Sequence, residues 1–347
     1  VAAFGGDGPG GGVIDMVDDK VFLAVSGESL TRAGQGQDGE WAVETLLDGQ
    51  GACCLAADPA NSDVVYAGSN GNGIFRSEDK GRTWAPFGLA GQIVKALAVS
   101  PHDPETIYAG LKPAMMAVSR DGGQSWQELE SFRHIRGRRF WFSPAEPPDK
   151  RPYVQAITIS PTDPDVVLAG IEFGAVVRSE DGGRTWSNHV KGTLRDCHDM
   201  KFHISNGDWV YESGGGGAAF GRRNGQAWQK ANGGLGLTKR YGAACAADPE
   251  RPEVWYISVA FSPGKAYGEV AETYLFRNDA GAGWQPIGWQ EHPLPQLPIA
   301  LVTDPAAPGH LYAGLTYGDV WFSANYGDEW QKLPFSMRRI WRSMIVI

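Results

Sequence analysis

Apolar and polar positions alternate along this chain in short runs, without the three-to-four spacing of amphipathic helices. Five stretches share one plan: "LAADPANSDVVYAG", "LAVSPHDPETIYAG", "ITISPTDPDVVLAG", "CAADPERPEVWYIS" and "LVTDPAAPGHLYAG". Each opens as an apolar strand, breaks at a turn set by Asp-Pro, and resumes as a β-branched or aromatic strand. A third strand, such as "GIFRS" or "AVVRS", follows and runs into a polar turn. A fourth leaves that turn through a tryptophan.

The polar turn is written almost identically in "SEDKGRTW", "SRDGGQSW" and "SEDGGRTW", closing at Trp84, Trp126 and Trp186. Looser copies close at Trp41, Trp228, Trp284 and Trp330, so the anchors recur every ~48 residues, as propeller blades do. In such a turn the Asp side chain accepts backbone N–H bonds, the Gly supplies a positive φ and the Ser or Thr adds a side-chain bond. The Trp covers the gap between neighbouring sheets. These are fold-building roles, and Asp79, Asp121 and Asp181 are read as structural. One such unit cannot bury both faces of its sheet, so the copies must stack around an axis. The expected fold is all-β: a seven-bladed β-propeller of four antiparallel strands per blade, with the turns between third and fourth strands, forming one domain over residues 1–347. Either "VIDMV" (13–17) or "IWRSMIVI" (340–347) can complete the first blade.

At these turns the chain resembles the Asp-box, or BNR-repeat, propellers, and the likeness covers nearly its whole length. That family includes sialidases, xyloglucan-cleaving glycoside hydrolases, sortilin-type receptors and a photosystem II assembly factor. The resemblance implies a propeller with ligands at the mouth of its axial channel, and bacterial single-propeller proteins described as glycosyl-hydrolase-like are similar to it. Two features depart from named members. The Arg-Ile-Pro signature of sialidases is absent, and one propeller stands where the xyloglucan hydrolases join two. Their catalytic Asp residues therefore have no mapped counterparts here.

Composition narrows the partners. A net charge of −9 argues against a broad phosphate-binding surface, so no nucleic acid is expected. No apolar run is long enough to span a bilayer, so no membrane is expected either. A closed ring protects its own sheet edges, which favours a monomer binding a small molecule or an oligosaccharide. Cys53, Cys54, Cys197 and Cys245 sit in apolar strands without disulfide or metal spacing. They read as buried thiols that lean toward a reducing, cytoplasmic compartment, with a secreted protein whose leader was removed as the alternative, and no cofactor or metal is expected.

Candidate chemistry lies on segments entering the inner strands and on turns between second and third strands. Ordinary units are small or apolar at the first of these; "TLRDCHDMKFH" is not. In a strand, Asp196 and His198 share one face and Arg195 and Cys197 the other. The carboxylate can orient the imidazole for acid–base work, but His198 then also shares its face with Met200 and Phe202, which suggests a buried, satisfied histidine. His198 and His203 face opposite ways, which argues against a paired-histidine metal site. Arg195, Arg240 and Arg342, with Lys112, are candidate binders of a substrate carboxylate, and equally candidate bridges between blades. Glu172 and Glu212 come from corresponding loops of adjacent blades and form a candidate hydrolytic pair. Tyr241 is an alternative base for elimination from a uronate, and Tyr317 a rim residue. The insertion "SFRHIRGRRFWFSPAEPPDKRP" offers Trp141 for stacking on sugar, or a flap over a blade edge. The expected activity is carbohydrate-active and glycosyl-hydrolase-like, on an acidic or oligomeric glycan; a uronate lyase and a non-catalytic binding or assembly propeller are the alternatives.

Overall fold

Short β-rich runs joined by Gly, Pro and Asp turns leave room for little else, and the computed structural model is nearly all strand. It describes residues 20–36, 38–236, 240–268, 271–279, 283–288 and 293–347. The first sheet holds β1 (Phe22–Ser26), β2 (Ser29–Gln35) and β3 (Trp41–Leu46). The second runs β4 (Ala52–Ala57), β5 (Val65–Ser69), β6 (Ile74–Ser77) and β7 (Ala85–Gly88). The third runs β8 (Ile93–Val99), β9 (Ile107–Lys112), β10 (Met115–Ser119) and β11 (Gln127–Glu128). Next come β12 (Val154–Ile159), β13 (Val167–Ile171) and β14 (Val176–Ser179), a sheet of three.

Two four-strand runs follow. One is β15 (Asp196–Phe202), β16 (Val210–Gly215), β17 (Gly217–Arg222) and β18 (Ala227–Lys230); the other is β19 (Tyr241–Ala247), β20 (Trp255–Ala260), β21 (Thr273–Asp279) and β22 (Gly283–Pro286). A single pairing of Gly215 with Tyr241 joins them into one hydrogen-bonded sheet. The last sheet is β23 (Pro298–Thr303), β24 (Leu311–Leu315), β25 (Asp319–Ser323) and β26 (Gln331–Ser336). Strand β27 (Met344–Val346) returns to pair with β1, so the C-terminal segment completes the first sheet. The competing segment 13–17 lies outside the described residues.

The strands β4, β8, β12, β15, β19, β23 and β27 pack each against the next, and β27 packs back on β4. That closed cycle makes the arrangement radial. Apolar faces of adjacent sheets meet between the spokes. Gly68 of β5 shows how close they come: a Cβ there would lie 2.5 Å from Cys54 Sγ and 2.8 Å from the Val94 carbonyl oxygen. Gly110 of β9 repeats the device, with Val154 Cγ1 at 2.6 Å. The recurring "YAG" thus records the neighbouring strand's side chain.

The polar turns have the expected geometry. Asp79 accepts from Thr83 N at 2.9 Å and Thr83 Oγ1 at 2.7 Å, while Ser77 Oγ accepts from Gly81 N at 2.9 Å. Asp121 with Ser125, and Asp181 with Thr185, repeat it within 0.1 Å. Trp126 lies against Phe87 and Gly88 of the preceding sheet, and Trp186 against Phe132. The four cysteines are free and buried.

One regularity was not expected. The inner strands β4, β8, β12, β15, β19 and β23 each carry a β-bulge near the start. The extra residue turns a side chain toward the axis. Cys53, Lys95, Gln155, His198, Ala243 and Ile299 stand there and, with Arg342, line an axial cavity of about 230 Å³.

Candidate active site

The bulge in β15 revises the sequence reading of His198. It puts Cys197, Met200 and Phe202 together in the apolar layer between sheets and leaves His198 on the channel side. The imidazole Nδ1 donates to the Gly242 carbonyl at 2.6 Å. Nε2 therefore faces the other way, 3.4 Å from Asp196 Oδ2. Glu172 arrives from the turn after β13, anchored by its N–H to the Tyr153 carbonyl at 3.1 Å. One oxygen of Glu172, one of Asp196 and one ring nitrogen of His198 all lie within 4.8 Å of each other. Gly215 makes this possible, since a Cβ there would sit 2.0 Å from Asp196 Oδ2. Next to Glu172, Phe173 holds a left-handed φ of 46° and its N–H reaches Asp196 Oδ1 at 3.4 Å.

Tyr241 closes one side, its ring 4.7 Å from that of His198 and its hydroxyl 3.1 Å from the Tyr267 hydroxyl. Burial sets the electrostatics. It pushes the Glu172 carboxyl up to about 7 and raises the Tyr241 phenol, with Tyr267 adding to the latter. Burial works against a charged His198, but Asp196, Glu172 and the Gly242 carbonyl outweigh it, and the imidazole is raised.

A second polar group adjoins the first. Glu146, delivered by the insertion between β11 and β12, accepts from Lys95 Nζ at 3.0 Å, Lys112 Nζ at 2.7 Å and Arg342 Nη2 at 2.7 Å. Arg342 also donates to Tyr153 Oη at 3.2 Å, and Asp149 lies 3.2 Å from Lys112. Burial opposes ionisation of Glu146, yet Lys112, Arg342 and Lys95 prevail and hold its carboxyl at about 2.

The structure therefore gathers Glu172, Asp196, His198 and Tyr241, with Arg342 and Lys112 alongside but already engaged. Other candidates lie elsewhere. Glu212 was expected in a loop, but β16 continues through "ESGG", so its carboxylate is sealed inside the sheet at 0% exposure, accepting from Leu194 N at 2.9 Å. It cannot pair with Glu172 over a substrate. Arg195 alternates to the outer side, in a cleft with His189, Phe142 and Phe173. Arg240 packs beside Gly217, away from the axial cavity. Trp141 is buried on Phe132 and Arg138, so it offers no open ring face, whereas its neighbours Phe140 and Phe142 are exposed. Tyr317 is exposed over a shallow hollow shared with Tyr267 and Trp341. Sequence reasoning missed Glu146. The available signal was a pair of acidic residues, Glu146 and Asp149, in a mostly basic insertion, with Lys95 near the start of inner strand β8 and Lys112 at the end of β9 to receive them.

No family model matches the chain, and no curated protein matches it in sequence. Solved structures do. A GH74 xyloglucanase from Xanthomonas campestris superposes with a TM-score of 0.67 at 21% identity, covering 93% of this chain and 53% of that one. YCF48 bound to D1 peptide superposes with a TM-score of 0.56 at 14% identity, covering 86% of this chain and 92% of that one. YCF48 from Cyanidioschyzon merolae gives 0.55 at 13% identity, over 84% and 87%. The fold is a β-propeller. The chain spans about half the length of the xyloglucanase it resembles.

Proposed function

We propose that the chain is a seven-bladed β-propeller of the Asp-box kind and a carbohydrate-active enzyme that takes an acidic glycan at the channel mouth. The observation carrying this reading is the convergence of Glu172, Asp196 and His198 beside Tyr241, from the turn after β13, from β15 and from β19. No packing requirement brings two carboxylates together in a nearly dry place. Hydrolysis by Glu172 with Glu212 loses its support, because Glu212 has no path to a ligand. Elimination next to a uronate carboxylate fits better. Tyr241 is the proton-transfer group; among the described residues its hydroxyl pairs with that of Tyr267, which is itself half exposed. Exposed Phe140, Phe142 and Phe173 offer ring faces for sugars just outside the centre.

The test is a screen of uronate-containing oligosaccharides, followed both by reducing ends and by ultraviolet absorbance of an unsaturated product. Elimination raises both signals, hydrolysis only the first. Loss of both in Tyr241→Phe, with folding unchanged, supports the reading; turnover unaffected by that substitution sinks it. A second reading, a non-catalytic binding propeller, draws on the near full-length likeness to YCF48, one structure of which holds a peptide. It expects binding without either signal.

A further inference from the structure

We propose that Glu172, Asp196 and His198 hold a divalent metal ion at the channel mouth. Their donor atoms, all within 4.8 Å of one another, are close to the separations of about 3 to 4.5 Å that ligands around one cation adopt. Two independent features point to a ligand. Glu172 is 6% exposed, and no described residue donates a hydrogen bond to its carboxylate; a buried carboxylate without a donor is costly. The imidazole of His198 is held from behind by its Nδ1–H bond to the Gly242 carbonyl, which aims Nε2 at the two carboxylates. That outer bond is the usual means of presenting a histidine to a metal.

Charge and space agree. The nearest cationic side chains, Lys95, Lys112 and Arg342, are already engaged by Glu146 and Asp149 and do not bond to either carboxylate. The missing side chain at Gly215 keeps the pocket open beside Asp196. Two carboxylates and one imidazole favour a first-row ion such as Mn²⁺ or Zn²⁺ over Mg²⁺ or Ca²⁺, which prefer oxygen alone. Three protein ligands leave coordination positions free for water or a ligand group. The spacing of His198 and His203 gave no hint of this, because the ligands come from a turn and a bulged strand far apart in sequence. The inference deepens the proposed function: in that reading the ion receives the uronate carboxylate, the task for which Arg195 and Arg240 are badly placed.

The experiment needs no glycan, so it stands whether or not that reading does. Chelator-treated protein is titrated with Mn²⁺ and with Zn²⁺ by calorimetry, and Mn²⁺ binding is followed by electron paramagnetic resonance. One ion per chain is expected. Glu172→Gln and His198→Ala should each weaken binding more than about 100-fold, beyond the loss usual for an outer-shell partner. Glu172→Gln keeps the side-chain shape and neutralises a buried charge, and circular dichroism checks that it folds. No stoichiometric binding in the wild type, or binding retained in both variants, overturns the proposal.

Discussion

Two features recur around this ring, the polar turns on one side and the bulges of the inner strands on the other. In the turns, backbone and side chains repeat together: Asp79, Asp121 and Asp181 make the same bonds to the same partners. In the bulges only the backbone repeats, while the re-aimed residues run from Cys53 through Lys95, Gln155 and His198 to Ile299. A device that repeats in full serves each sheet by itself. One that repeats its geometry and varies its chemistry serves a place where all sheets meet. The contrast separates the residues that build the ring from those that give its centre a chemical character.

Substitutions can break or sharpen that contrast. The largest effect belongs to the centre: Tyr241→Phe should lower glycan turnover about 100-fold or more with the unfolding midpoint unchanged. Next, Glu146→Ala should cost about 3 kcal/mol in urea unfolding, because it takes the carboxylate partner from Lys95 and Arg342 near the axis and leaves Lys112 with Asp149 alone. The acid limb adds a check on Glu146. Its folded pKa of about 2 lies below the ordinary 4.5, so its stabilisation is complete above the ordinary value and fades as pH falls through about 2. The stability gap between wild type and Glu146→Gln should therefore close over that acid range.

Gly110→Ala should cost about 2 kcal/mol, since the new methyl meets Val154. Smallest are the turns. Asp79→Ala should cost about 1 to 2 kcal/mol, but Asp79→Asn well under about 1. Asn325 already occupies the equivalent position and accepts from Glu329 N at 2.9 Å. A large loss of activity from Asp79→Asn would erase the distinction between turn and centre.

What sequence alone determined about this protein is its local and repeating part. Strand alternation, Asp-Pro turns, the Ser-Asp-Gly-Trp box and the ~48-residue period rest on contacts within a few residues or between neighbouring units, so they are written in the order of the chain. Asp196 and His198 were legible as an anomaly against that repeat, and Glu172 and Tyr241 as candidates on the same rim. The convergence of Glu172, Asp196 and His198 within 4.8 Å was not legible. The bulge that frees His198 from Met200 and Phe202 depends on pairing with β16, and the burial of Glu212 on how far that strand runs. The reach of Glu146 across to Arg342 spans 196 positions. Completing the first sheet with β27 likewise required two distant parts of the chain, β1 and β27, to be in place together. Only the tertiary structure decided these, because each depends on groups that become neighbours once the sheets have closed around the axis.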